Sequence, residues 1–428
     1  MVGQAPARLP NMGVETTTLP AFVNDSAPSV TKPAGRTASS PVSRLAGVDG
    51  LRAAAALWVV LFHIRVFSGA HLPFQPLDFF VRSGSTGVSL FLVLSGFCLY
   101  LPFAGGRSGR FKTWSFFVRR ARRLLPAYYV SLGLALALNL IGGGNLGFGP
   151  MSVSDVAWQL ATHMTMVHTL FPSTFYALNG AYWSLGLEWQ LYLALPLLII
   201  GMRRFGLVPT LAAAVVVNVV YRVVLAMAGT HSWLQPGLLQ SVVLPNLLPG
   251  RWAEFVFGMV VAELYAGGVL DRLPRLARYA WAPMTAVAVA AVGLPLSHLA
   301  FGAVFALLLI GVLAEKSLIS RIFAWRPLVA LGIMSYSIYL VHQPLVQALA
   351  FVLRHDFGLS PTRSFGALIL LLPVVLAVAW ALFVLVERYT LTSRPVEISG
   401  RVAAILFPSL RRRREPVLQP APATPPVA

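Results

Sequence analysis

Ten runs of about twenty predominantly apolar residues divide this sequence and leave few folds open to it. A membrane-spanning helix needs about 20 such residues, within about 17 to 25, because backbone polar groups must be satisfied internally across the hydrocarbon layer. The runs lie at approximately 50–68, 86–103, 124–142, 183–200, 207–227, 251–267, 281–296, 300–315, 328–353 and 365–386. The seventh and eighth are the weakest, since Pro295, Ser297 and His298 leave only a very short hairpin between them. Composition argues against a soluble globule: 57% of the 428 residues are hydrophobic and 11% charged, where a soluble domain carries about 25% charged residues. The expected fold is an all-α polytopic membrane protein with about ten transmembrane helices.

The net charge of +19 does not indicate nucleic acid, because the Arg residues fall between apolar runs and form no single basic face. They read as topology signals, Lys and Arg gathering in short cytoplasmic loops. With the N-terminus inside, the clusters Arg119, Arg120, Arg122 and Arg123; Arg203 and Arg204; Arg272, Arg275 and Arg278; Lys316, Arg321 and Arg326; and Arg411 to Arg414 all fall inside, so both termini are expected to be cytoplasmic. Residues 1–43 are rich in Pro, Ala, Ser and Thr and read as a disordered cytoplasmic tail. Residues 44–392 form the membrane domain, and 393–428 read as a basic, Pro-rich cytoplasmic tail. No signal peptide is expected ahead of the first run, and a membrane-surface helix is expected near 153–171. The single cysteine, Cys98, allows no intrachain disulfide and no cysteine metal cluster. The expected location is the plasma membrane, as a multi-pass protein in contact with the bilayer.

An ionisable group at the centre of a membrane helix costs at least ~2.5–3.5 kcal/mol, so each one there is a functional candidate by default. His63, Glu188, Arg222, Glu254, Glu263, His342 and Glu387 qualify. His63 should lie ~18 Å above the inner end of its helix near Leu51, at ~1.5 Å per residue. Each has a plainer reading. A lone His near a helix end often serves packing, Glu263 and Glu387 lie near Arg272 and Arg388 for solvated pairing, and Arg222 has a stem long enough to snorkel outward. His163 and His168 are five apart, not the four that would stack them on one helix face, and make a weak metal site. No metal is expected.

Five local patterns in order resemble the integral-membrane acyltransferase-3 family, over about 45 to 390. Val48-Asp49-Gly50-Leu51-Arg52 running to His63 looks like that family's opening helix, with an Arg near the inner end and an essential His. Gly87 to Phe97 looks like its second element, with Ser89 where an acidic residue is common. Arg120-Ala121-Arg122-Arg123-Leu124-Leu125-Pro126 carries the pair of Arg three apart ahead of a Pro. Trp183 to Tyr192, containing Glu188, is the fourth, and Leu331 to His342, containing Tyr336, the fifth. Arg251 with Phe255 and Gly258 matches a looser element. The resemblance implies an acyl-CoA-dependent enzyme that acylates hydroxyls of surface polysaccharides, lipids or macrolides, with acyl-CoA a co-substrate and no permanently bound cofactor. It also implies a stand-alone tailoring enzyme similar to macrolide or macrolactam O-acyltransferases, members with an added hydrolase-like domain being longer.

Acyl transfer to an alcohol needs a base, a site for the oxyanion and a grip on the donor. His63 is the natural base, since imidazole titrates nearest physiological pH. A carboxylate on its other ring nitrogen would fix the tautomer, and Glu188 and Glu254 are both candidates. Ser95 is a runner-up nucleophile, though direct transfer needs none. Arg120 and Arg123 share one helical face, suited to the donor's phosphates, or they orient the helix as positive-inside charges do. The resemblance adds Arg52, Arg251, Tyr336 and His342 to the donor-binding set. The partners are acyl-CoA, a hydroxyl-bearing small molecule or glycan, and lipid, and not nucleic acid; a homo-oligomer stays open. Two other readings remain: a cell-envelope polysaccharide or glycolipid O-acetyltransferase, and a transporter or flippase, against which stands the lack of an internal repeat or paired broken helices. A scaffold would leave the buried His and Glu as an unexplained cost.

Overall fold

The computed structural model describes residues 45–106, 111–142, 150–230, 242–274, 278–290, 292, 296–314 and 317–391. The tails expected at 1–43 and 393–428 lie outside the described residues, as do Arg275, Pro295, Lys316 and Arg411 to Arg414. Among the described residues the chain is helical and contains no strand.

The helices are α1 (Ala46–Ser68), α2 (Gln75–Arg82), α3 (Gly87–Tyr100), α4 (Thr113–Ile141), α5 (Val153–Met164), α6 (Trp183–Phe205), α7 (Leu207–Thr230), α8 (Leu248–Ala266), α9 (Trp281–Ala290), α10 (Ser297–Leu313), α11 (Leu318–Phe323), α12 (Arg326–Ile333), α13 (Ser335–Phe351), α14 (Pro361–Leu370), α15 (Leu372–Leu382) and α16 (Arg388–Leu391). Local chemistry sets several ends. Gly69, at φ 69°, takes the left-handed conformation that closes α1, its N–H bonding Arg65 O and Val66 O. A capping box of Ser152 and Asp155 opens α5. Pro residues in the first turns of α8, α12, α14 and α15 start helices where no N–H partner exists anyway.

Among the described residues, seven helical stretches are long and apolar enough to cross a membrane: Ala46–Ser68, Gln75–Phe103, Thr113–Ile141, Gly180–Phe205, Leu207–Ala228, Ser335–Asp356 and Leu372–Thr390. α9 and α10 are shorter apolar helices, and α8 carries Arg251, Glu254 and Glu263 within its 19 residues. Each of the ten expected runs centres on one or more of these helices. The ninth breaks at Met334 into α12 and α13.

Neighbouring helices have the relative directions of an alternating series. α1 and α13 run parallel, joined by Arg52 to Ser335 and, further along both, by His63 to His342. α3 and α8 are parallel too, joined by Ser89 to Arg251 and Phe97 to Tyr265. α4 and α6 are antiparallel, with Ser131 against Tyr182 and Phe116 against Tyr192. α3 and α13 are the most enclosed of these helices, with 11 of 14 and 13 of 17 residues buried.

Three charged residues, Glu387 buried and Arg222 and Glu263 half-buried, differ from expectation. Arg222 does not simply snorkel outward: its Nη2 donates to Pro245 O and Gly250 O, carbonyls near the start of α8. Glu263 accepts from the Gly105 N–H. Glu387 is buried, accepting from Ser337 N–H and Oγ–H at 3.2 and 2.5 Å, rather than pairing in solvent. The expected surface helix is shorter than 153–171, since α5 ends at Met164 and Met166 turns left-handed at φ 60°. That turn swings His168 back onto His163, their rings stacked at 4.3 Å. Neither is joined by the further donor a metal would need, as no group of three metal-ligating side chains occurs among the described residues.

Candidate active site

The site lies between α1, α3, α6 and α13, with three levels along the helix direction. At the first level Arg52 Nε donates to Ser335 Oγ at 3.3 Å. Arg120 and Arg123, one turn apart on α4, join it, since Arg123 lies in electrostatic reach of Arg52, Arg120 and Glu387. Arg120 stacks over Phe116 at 5.6 Å, and its buried Nε has no hydrogen-bond partner. These two Arg residues sit deeper than the inner helix end assigned to them from sequence. They neighbour Tyr192, and α6 continues eleven residues beyond it to Arg203, a rise of ~16 Å. Charges held inside a bundle are costly unless compensated, and Glu387 supplies part of that compensation for Arg123.

The second level is a pocket lined by Arg52, Phe91, Ser95, Ser184, Glu188, Ser335, Tyr336 and Tyr339, with Val88, Leu92 and Leu185 as its apolar wall. Ser95, Phe91 and Val88 follow one face of α3, and the exposed Cys98 continues that stripe toward Arg52, Arg120 and Arg123. Glu188 accepts from Ser95 Oγ at 3.2 Å and from Tyr192 Oη at 2.5 Å. Tyr336 is pinned by a 2.9 Å bond to Leu124 O. Tyr339 closes the far side: its hydroxyl meets Ser184 Oγ at 2.6 Å and donates to Ala181 O, and its ring packs 5.6 Å from Phe91 and 5.4 Å from His342.

Beyond Tyr339 lies the third level, the pair His63 and His342. Their facing nitrogens, His63 Nδ1 and His342 Nε2, are 3.2 Å apart. His63 Nδ1 is also 2.9 Å from Val59 O. A carbonyl only accepts, so this nitrogen carries the hydrogen and the lone pair of neutral His63 lies on Nε2. Phe62 and Phe67 flank the ring at 5.0 and 6.0 Å.

The structure thus joins some expected site residues and separates others. His63 has no carboxylate partner among the described residues. Glu188 belongs to the pocket. Glu254 is fully buried and bound by Arg251, with Nε to Oε2 at 2.7 Å and Nη2 to Oε1 at 3.0 Å. Arg251 also reaches Ser89 and Asn246, so this pair forms its own network on α8, away from the Arg52 cluster. His342, placed with the donor-binding set from sequence, stands beside His63 instead. The sequence patterns do not single out Tyr339 and Ser184, although Ser184 lies within Trp183 to Tyr192 and Tyr339 within Leu331 to His342; spaced three before His342, Tyr339 shares its helical face.

The acyltransferase domain family matches residues 45–384, so this chain belongs to the acyltransferase-3 family and is a membrane acyltransferase by class. Nodulation protein 10 of Rhizobium leguminosarum bv. viciae is 31% identical over 183 residues, covering 39% of this chain and 47% of that protein. The chain thus matches about half the length of that relative. No solved structure matches.

Proposed function

We propose that the chain moves an acyl group from acyl-CoA to a hydroxyl, with His63 as general base in a direct transfer. The observation that carries this reading is the ordering of the three levels: guanidinium groups, then a polar pocket, then an imidazole whose Nε2 holds a lone pair. Arg52, Arg120 and Arg123 would hold the donor's phosphates, since guanidinium stays charged and binds phosphate in a fork. The thioester would reach past Ser95 and Tyr339. His63 Nε2 takes the proton as the acceptor oxygen bonds to the thioester carbon. The tetrahedral intermediate then collapses with loss of the C–S bond, and the same proton passes to the leaving thiolate to give free CoA.

The acceptor would be a hydroxyl of a macrolide, macrolactam or glycan. Partial similarity to a protein named for nodulation is compatible with the glycan branch and leaves the macrolide branch as the alternative. With Arg203 and Arg204 on the cytoplasmic side, the donor would enter from the cytoplasm of a cell whose plasma membrane holds the protein, with both termini inside.

The test is thiol release by the purified full chain in lipid nanodiscs, with acetyl-CoA and longer acyl-CoA donors, across a panel of hydroxyl acceptors followed by mass spectrometry. Acceptor-dependent thiol release with a matching mass gain on the acceptor is expected. No acyl transfer to any acceptor, alongside acceptor movement across sealed vesicles, would contradict the reading.

A further inference from the structure

The geometry points to His342 as the positioning residue that holds His63 in its base-competent tautomer, in the place a carboxylate takes in a serine-hydrolase triad. This rests on the reading of His63 as the base. His342 Nδ1 lies 2.8 Å from Tyr339 O and 3.2 Å from Ile338 O, two carbonyls of its own helix. Carbonyls accept only, so His342 Nδ1 carries its hydrogen, and Nε2 of the neutral ring is left as an acceptor. That acceptor is 3.2 Å from His63 Nδ1, the nitrogen that Val59 O independently requires to be protonated. Two sets of backbone carbonyls on two helices therefore fix both rings, and every assignment agrees: His63 Nδ1–H is shared between Val59 O and His342 Nε2, and His63 Nε2 stays free.

The membrane explains why a second imidazole stands here. An ionised carboxylate in its place would carry the cost of a charge within the bundle, and no Asp or Glu hydrogen-bonds either ring among the described residues. His342 is fully buried, on a helix packed against α1, so its ring cannot turn away without losing the Tyr339 carbonyl. When His63 takes the acceptor's proton at Nε2, the imidazolium donates more strongly from Nδ1 to Val59 O and His342 Nε2, which stabilises the charge without a counter-ion. The proton then leaves from the same Nε2 to the thiolate, and His342 ends the cycle unchanged.

Two amides separate an acceptor role from a packing role. His342→Gln places its carbonyl oxygen near the position of Nε2, within reach of His63 Nδ1. His342→Asn reproduces Nδ1 but stops short of it. Both are neutral, polar and smaller than His, so general disturbance of packing should affect them similarly. In the thiol-release assay His342→Gln should keep kcat within about tenfold of the unsubstituted protein. His342→Asn should lose on the order of 100-fold in kcat, with KM for acyl-CoA unchanged in both. His63→Ala is run beside them. If His63→Ala is inactive while the Gln and Asn variants fall equally, or neither falls, the positioning role is overturned and the base remains. An active His63→Ala removes the base and the inference with it. A rise in donor KM without loss of kcat in the two His342 variants would return His342 to donor binding and overturn the proposal. Should His342→Asn fail to give a monodisperse protein, His342→Phe supplies a ring without an acceptor and should show the same 100-fold loss.

Discussion

Gly96 of α3 and Gly258 of α8 each sit against the backbone of the other's helix: a Cβ at Gly96 would collide with Phe255 O, and one at Gly258 with Val93 O and Phe97 N. Small residues at helix crossings let membrane helices approach closely enough for packing to hold them without a hydrophobic driving force between them. The crossing fixes α3, which carries Ser95 and Phe91 into the pocket, against α8, which carries the Arg251 and Glu254 pair.

Gly96→Ala and Gly258→Ala should each force backbone apart and cost at least the ~1–3 kcal/mol typical of an overpacked core. Gly133→Ala is the control, since nothing lies within 4 Å of a Cβ there and Ala favours a helix over Gly by about 0.5–1 kcal/mol. Thermal unfolding in detergent should show a large drop for the first two and none for the third. Equal midpoints for all three would contradict the close crossing.

Changing Arg120 and Arg123 together to Gln should raise KM for acyl-CoA by about tenfold or more, as hydrogen bonds to charged groups contribute ~1.5–3 kcal/mol each. A donor that ends before the phosphates should be used equally by both proteins. Lys at both positions should restore affinity in part, lacking the planar fork. Because both residues are half-buried, raising salt from 0.1 to 1 M should change donor KM less than it would for fully exposed contacts, since partly buried charges are screened less than exposed ones. An unchanged donor KM with a raised acceptor KM would move the donor site elsewhere.

The apolar runs made the helices legible, because lipid demands the same length and the same satisfied backbone wherever a helix crosses. The Arg pair on α4 was legible as chemistry and not as depth: α4 starts at Thr113, so Arg120 and Arg123 lie two to three turns into the helix rather than at its mouth. The partner of His63 was hidden because His342 is 279 residues away, and local sequence shows no pairing between distant helices. General triad logic suggested a carboxylate, and both candidate carboxylates are already engaged, Glu188 by Ser95 and Tyr192 and Glu254 by Arg251. The stacking of His163 on His168 escaped a helical-spacing argument because the helix stops between them and Met166 adopts a left-handed turn.

That stacked pair carries a stability signature. Burial pushes His163 down to about 4 and His168, with His163 beside it, down to about 3. The folded state holds both rings neutral, whereas the unfolded chain takes up protons near pH 6.5. Their contribution is complete above pH 6.5 and is lost as pH falls from there toward the folded values, on the order of 2 kcal/mol per ring by pH 5. The unfolding midpoint should fall between pH 7.5 and 5, and fall less in a protein with both changed to Gln. A steeper fall in that variant would contradict the assignment.

The most direct measurement is turnover by His63→Ala in the thiol-release assay, with Ser95→Ala beside it and size-exclusion profiles to confirm both are folded. Loss of at least ~10² in kcat for His63→Ala, with Ser95→Ala retaining most activity and no acylated enzyme detected, is the predicted result. More than about a tenth of the activity remaining in His63→Ala, or an acyl group trapped on Ser95, would contradict direct transfer with His63 as the base.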